Sequence, residues 1–270
     1  MREDDLIRSV SAPASVDSIA ADLARLGVEP GSTLIVHSSL SSLGWVCGGP
    51  AAVVEALLKA IGDNGTLVMP TQTTHLTDPS LWENPPVPTD WWPTIRETMP
   101  AFDVRKTATR GMGVVVETFR CYPGVVRSNH PHLSFAALGP IAQRLMKSHP
   151  LADGFGMDSP LARAYQADAR VLLIGVGHES NSSLHLAERI AYTGSPKMQP
   201  NGAPMIVDGQ RRWIRFDEPT FPDVDFAVIG EAFGVSSTSV RRGPIAAGTA
   251  QLMRQREIVD FGVKWIQANW

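Results

Sequence analysis

Two residues one helical turn apart carry the most direct chemical suggestion in the chain. The stretch N-S-S-L-H-L-A-E (181–188) follows the apolar run V-L-L-I-G-V-G-H (171–178). A run of small polar residues after a strand predicts a helix over 182–192. His185 and Glu188, at i and i+3, share one face of that helix, so the carboxylate can hold the imidazole as a general base. The positive end of the helix disfavours imidazolium, which keeps such a ring neutral. The octapeptide alone also fits a capped helix with a tolerated histidine.

Other histidines fall at similar places. His37 closes the β-rich run T-L-I-V-H (33–37), His178 closes the 171–178 run, and His130 lies in a loop. The carboxyl ends of strands are where α/β folds bind ligands. His130-Pro131-His132 raises the question of a metal, but the chain has neither H-E-x-x-H nor C-x-x-C, so no metal is expected. Cys47 is either a nucleophile or a small structural residue.

Two small-residue stretches offer groups that suit an anion. S-S-L-S-S-L-G-W-V-C-G-G-P (38–50) supplies hydroxyls, glycines and a helix start, and R-G-M-G-V-V (110–115) adds a cation. Both also read as ordinary glycine turns. Neither G-x-x-x-x-G-K-[ST] nor G-x-G-x-x-G occurs. Carboxylates gather around the same segments. Asp78 and Glu83 flank Trp82, Asp153 and Asp158 sit in A-D-G-F-G-M-D-S-P, and Glu179 and Glu188 bracket the opening motif. Asp217, Glu218, Asp223 and Asp225 follow later. Singly these are solvated charges; together they suit a cleft for a polycation.

The elements that must position these groups follow from periodicity. Helical spacing runs over 15–26, with Ser15 as cap and Gly27 as stop, and again from Pro50 to Gly62. Strands are expected at 33–37, 66–70, 134–139 and 171–176, and helices at 114–121, 139–148 and after Ser159-Pro160. Residues 71–93, with Trp82, Trp91, Trp92 and five prolines, read as a long loop. A hairpin over 203–216 turns at Asp208-Gly209, and 250–270 reads as a long amphipathic helix. The β-loop-α-β grammar predicts an α/β fold, one domain over 1–270, with a mixed central sheet covered by helices.

The 270 residues are 43% hydrophobic with net charge −3 and only two cysteines, so a disulfide framework is excluded and a cytoplasmic protein is expected. No apolar run reaches the length of a membrane span, the N-terminus lacks the apolar stretch of a signal peptide, and no basic cluster suggests nucleic acid.

Longer blocks carry a resemblance. V-H-S-S-L-S-S-L-G-W-V-C-G-G-P (36–50), T-L-V-M-P-T (66–71), R-S-N-H-P-H-L-S-F-A-A-L-G (127–139), D-S-P-L-A-R (158–163) and L-L-I-G-V-G-H-E-S-N-S-S-L-H-L-A-E (172–188) occur in the order found in the aminoglycoside 3-N-acetyltransferases. The chain resembles that family from about residue 15 onward. The family usually has Asn-Thr where this chain has Asn181-Ser182, which keeps the hydroxyl. R-x-x-G-x-V at 110–115 misses the motif of the common small N-acetyltransferases by one residue, and that fold is not expected.

The resemblance implies acetyl transfer from acetyl-CoA to the 3-amino group of a 2-deoxystreptamine antibiotic, conferring resistance. It implies His185 as base, oriented by Glu188, which could instead contact the antibiotic. His37 would lie near the thioester. The CoA groove would use Ser38, Ser39, Leu40, Ser41, Ser42, Leu43, Gly44 and Val46 from the first loop. Thr109, Arg110, Met112, Gly113, Ser128, His130 and Ser134 would complete it. The cationic antibiotic would meet Asp78, Trp82, Asp153, Phe155, Asp158, Glu179 and Asn181. No cysteine neighbours the His–Glu pair in sequence, so direct attack in a ternary complex is expected. The rivals are acetylation of another amine, such as an amino sugar or nucleoside-linked amine, a His-ligated metal hydrolase, and a non-catalytic CoA or polyamine binder. A monomer or a homodimer is expected.

Overall fold

The run Leu34-Ile35-Val36 is fully buried because it forms the middle of a sheet covered on both faces. The computed structural model describes residues 2–192, 196–221 and 223–269. In chain order the elements are α1 (Glu3–Arg8), α2 (Val16–Leu26), β1 (Thr33–Ser38), α3 (Gly49–Ile61), β2 (Thr66–Pro70), α4 (Trp92–Thr98) and α5 (Val114–Phe119). Then come β3 (Val126–Arg127), β4 (Phe135–Leu138), α6 (Ala142–Met146), α7 (Pro160–Gln166), β5 (Arg170–Ile174) and α8 (Ser183–Ala191). The chain continues through β6 (Lys197–Val207), β7 (Gln210–Thr220), α9 (Phe226–Ser236), β8 (Arg241–Ile245), β9 (Gly248–Arg254) and α10 (Gln255–Asn269).

Among the described residues, seven strands form a mixed sheet in the order β3-β4-β2-β1-β5-β9-β8. β1 runs parallel to both β2 and β5, and the outer strands are antiparallel. The carboxyl ends of β1, β2 and β5 therefore meet at one edge. Alternation sorts the side chains between two cores. Leu34, Val36, Leu67, Met69, Leu172 and Ile174 pack with α2, α3 and α5. Ile35, Val68, Val171 and Leu173 pack with α6 to α10. By the same alternation His37 lies on the α8 side of the sheet.

The expected mixed sheet covered by helices is present. Ser15 accepts from the Ser18 amide and Gly27 ends α2 in a left-handed conformation (φ 101°). The hairpin is longer than its apolar pattern suggests and turns at Asp208 and Gly209 with φ 50° and 74°, the signs a tight two-residue turn needs. Three expectations need correction. Residues 250–254 belong to β9, paired with β5, and the helix expected over 250–270 begins at Gln255; Trp270 lies outside the described residues. His178 does not close a strand: β5 stops at Ile174, Gly175 turns the chain at φ 63°, and His178 sits in the 3₁₀ turn His178–Ser180. The long loop is broken by 3₁₀ turns at Thr74–Leu76, Pro79–Leu81 and Thr89–Trp91.

Candidate active site

A cleft of about 650 Å³ opens where the three parallel strands end. That is within the roughly 300–1,000 Å³ of small-molecule sites. Its walls come from His37 to Ser41 at and beyond the end of β1, Pro70 and Gln72 at the end of β2, Gly111 to Val114 at the start of α5, and Val176, Glu179 to Asn181, Ser182 and His185 after β5.

The α8 wall carries the expected His–Glu pair. Asn181 is fully buried, and its Oδ1 accepts from the Ser183 amide (3.1 Å), so Asn181 does the capping; Ser182 makes no side-chain cap bond. One turn on, His185 Nδ1 and Glu188 Oε2 are 2.7 Å apart. The Phe155 ring stacks flat on His185, with centroids 4.4 Å apart and planes at 9°, and Phe226 meets it edge-on at 4.8 Å. Two aromatic rings thus pack on the imidazole. With Nδ1 engaged, Nε2 is the nitrogen left to take a proton.

His37 is 6% exposed and borders the same cleft. Burial, and secondarily the neighbouring His185, lower its pKa to about 4, so it is neutral at neutral pH. Its Nε2 and the Ser38 hydroxyl are buried with no protein partner. Buried polar atoms are normally paired, so these two suit a ligand that enters the cleft. Gly111 and Gly113, at φ 74° and 85°, also line the cleft, and a Cβ on Gly113 would lie 3.8 Å from the Ser38 carbonyl oxygen.

The first loop divides. Ser38, Ser39, Leu40 and Ser41 line the cleft, whereas Ser42 turns back to the Ser39 carbonyl and Leu43 and Val46 are core residues beside the Gly44 turn. Met112 and Gly113 line the cleft. Thr109 donates to Glu117 instead, and the Arg110 amide donates to the Gln72 carbonyl. Ser128, His130 and Ser134 are fully buried outside it. Ser128 bonds His149 Nδ1 at 2.9 Å, Ser134 donates to the Thr71 carbonyl, and His130 packs 4.5 Å from the His149 ring.

Of the residues expected around the antibiotic, Glu179 and Asn181 line the cleft and Phe155 backs the His185 ring. Asp78 accepts two bonds from Arg96 (2.9 and 2.7 Å) beside a separate cavity, and Trp82 donates to Thr77. Asp153 accepts from Arg189, and Asp158 is exposed. The four histidines do not converge: His37 and His185 share the cleft, His130 joins His132 and His149, and His178 packs under Gly230 of α9. Among the described residues no group of three or more His, Cys, Asp or Glu could hold a metal ion.

Sequence reasoning missed Leu6, Pro70, Gln72, Val176 and Phe226, all in the cleft wall. The strand-end rule applied to β2 finds Pro70 and Gln72. The apolar spacing Phe226, Ile229, Phe233 marks α9. Nothing in the sequence marks Leu6.

Comparison with known proteins supplies the family. The family model described as aminoglycoside 3-N-acetyltransferase matches residues 35–267. The SPbeta prophage-derived aminoglycoside N(3')-acetyltransferase-like protein YokD of Bacillus subtilis is 44% identical over 266 residues, covering 98% of this chain and 96% of YokD. The crystal structure of YokD superimposes with a TM-score of 0.94 at 43% identity, over 98% of each chain. Aminoglycoside N(3)-acetyltransferase VIII of Streptomyces fradiae is 37% identical over 285 residues, covering 100% of this chain and 97% of its own. The structure of AAC-IIIb in binary complex with CoASH matches with a TM-score of 0.86 at 30% identity, over 96% and 98% of the two chains. The chain belongs to the aminoglycoside 3-N-acetyltransferase family.

Proposed function

We propose that the protein transfers the acetyl group of acetyl-CoA to the 3-amino group of a 2-deoxystreptamine antibiotic, with His185 as general base and no acyl-enzyme. Family membership makes it an acetyltransferase with acetyl-CoA as donor. The observation that supports the finer reading is the 2.7 Å contact between His185 Nδ1 and Glu188 Oε2 at the cleft wall. Glu188 fixes the tautomer that carries its proton on Nδ1, leaving Nε2 as the acceptor. An ammonium acceptor first loses one proton to solvent; the neutral amine then adds to the thioester carbonyl while Nε2 takes a second proton from the nitrogen as the N–C bond forms. The Ser38 hydroxyl, buried in the cleft wall with no protein partner, stands ready as a donor for the developing oxyanion, whereas the Ser39 amide is already given to the Ile174 carbonyl (2.9 Å). The C–S bond then breaks, and the imidazolium returns its proton to the thiolate. Cys47 is absent from the cleft wall among the described residues, which suits direct attack.

Free-thiol release from acetyl-CoA across a panel of 2-deoxystreptamine antibiotics tests this, with His185→Ala beside the wild type. Antibiotic-dependent release that is lost in the variant, with CoA affinity kept, is expected. Equal turnover in the variant sinks the base. A stable acetyl-protein adduct formed from acetyl-CoA alone sinks direct attack.

One observation favours a second acceptor class. Glu179 is the acidic residue among the described cleft-lining residues. An amino sugar with fewer ammonium groups suits that wall, and release with such an amine but with no antibiotic would select it.

A further inference from the structure

The segment Asp153-Gly154-Phe155-Gly156 is built more tightly than a surface turn requires. A Cβ on Gly154 would lie 2.8 Å from His130 Nε2 and 2.7 Å from Leu133 Cδ1; one on Gly156 would lie 2.0 Å from Asp153 Oδ2. The two glycines thus let the loop sink onto the buried histidine cluster and let the Asp153 side chain fold over it. His149 Nε2 and the Gly154 carbonyl oxygen are 2.6 Å apart. Asp153 then takes both carboxylate oxygens to Arg189 Nε, each at 3.0 Å. The residue between the glycines, Phe155, is the ring stacked on His185.

His185, Glu188 and Arg189 stand at i, i+3 and i+4 of α8, on one helix face. We propose that Arg189 and Asp153 are a positioning pair: their ion pair latches the Phe155 loop to α8, and Phe155 holds the His185 ring in the plane in which Nδ1 meets Glu188. Asp153 is then a structural partner of the base and not an antibiotic contact. The catalytic part rests on His185 being the base; the positioning part does not. A ring free to turn about its side-chain bonds spends only part of its time aimed at the reacting nitrogen, and misplacement by about 1 Å costs on the order of 100-fold in rate.

The 270-residue chain is labelled with ¹⁵N-histidine, and the His185 ring resonances are assigned by their absence in His185→Ala. Wild type and Arg189→Lys should show an Nδ1–H held in a hydrogen bond. Arg189→Gln and Asp153→Asn should move toward the averaged pattern of a free imidazole. In acetyl transfer with the most rapidly acetylated member of the amine panel, both loss variants should lower kcat at least about 10-fold with KM for acetyl-CoA unchanged. Arg189→Lys should recover most of it. Phe155→Leu leaves the ion pair intact, removes the flat ring and should give the same split, so the test survives if Arg189→Gln fails to fold. A wild-type His185 spectrum in Arg189→Gln and Phe155→Leu overturns the proposal. So does an unchanged kcat with a raised KM for the amine alone, which would make Asp153 a substrate contact. Full turnover in His185→Ala would remove the base assignment, while the spectra still decide the positioning.

Discussion

Glu188 Oε2 lies 2.7 Å from His185 Nδ1, one helical turn along α8, and Glu188 is the more buried of the two. That contact decides which nitrogen faces the cleft as an acceptor. In Glu188→Gln the amide can present its NH₂ to Nδ1 and move the ring proton to Nε2, where it blocks proton uptake. The expected result is a kcat lower by about 100-fold or more, with KM for acetyl-CoA unchanged. Steady-state kinetics of the variant checks it, and a kcat near wild type removes Glu188 from the mechanism.

The buried histidines make stability depend on pH. Burial pushes His37, His132 and His149 each down to about 4, and His130 well below its ordinary value. Well above pH 6.5 these rings are neutral in both folded and unfolded chains. Between there and pH 4 the unfolded chain takes up protons that the folded chain refuses, so stability falls as pH falls. The loss across that window is on the order of several kcal/mol in total. Urea midpoints at pH 7.5, 6 and 5 should decline steadily, more steeply from 6 to 5. A midpoint flat over that range would mean that the cluster is solvated.

The site was partly legible before folding because its chemistry is local. His185 and Glu188 are neighbours through helix periodicity alone, and the ends of β1 and β5 follow from short apolar runs. What escaped depends on distant partners. Ala250 to Arg254 contains good helix formers, and only pairing with Arg170 to Ile174 makes it a strand. Asp78 and Asp153 read as free carboxylates until Arg96 and Arg189, each many residues away, are seen to engage them. Ser128 and His130 occur in a block shared with the family, yet they pack against His149 behind the cleft.

Arg127 ties the long 71–107 segment to the sheet edge. It is 8% exposed and donates to the carbonyls of Thr71 and Thr107 (2.6 Å each) and to the Ser134 hydroxyl (3.0 Å). Burial, and next the nearby Arg120, lower its pKa to about 10, which leaves it charged at neutral pH. Arg127→Met would strand those acceptors and should cost about 3 kcal/mol. Arg127→Lys keeps the charge but cannot fork, so it should recover only part. Urea unfolding of both variants measures this, and a loss below about 0.5 kcal/mol for Arg127→Met would show that water replaces the guanidinium.

Gly175 links the sheet to the Ser38–Ser41 wall of the cleft. It leaves β5 at φ 63°, and a Cβ there would fall 1.7 Å from Ser42 Oγ and 2.3 Å from Ser42 Cβ. Ser42 in turn closes the Ser39–Ser42 turn by donating to the Ser39 carbonyl at 2.7 Å. Gly175→Ala therefore strains its own backbone and pushes on the loop that carries the cleft serines. The expected cost is about 2–4 kcal/mol, with KM for acetyl-CoA raised more than kcat is lowered, because the added Cβ meets the Ser39–Ser42 turn and not His185. Adding Ser42→Gly removes both clashing atoms but not the left-handed φ. The double variant should regain much of the affinity for acetyl-CoA and only part of the stability. Additive losses in the double variant would show that the two residues do not meet.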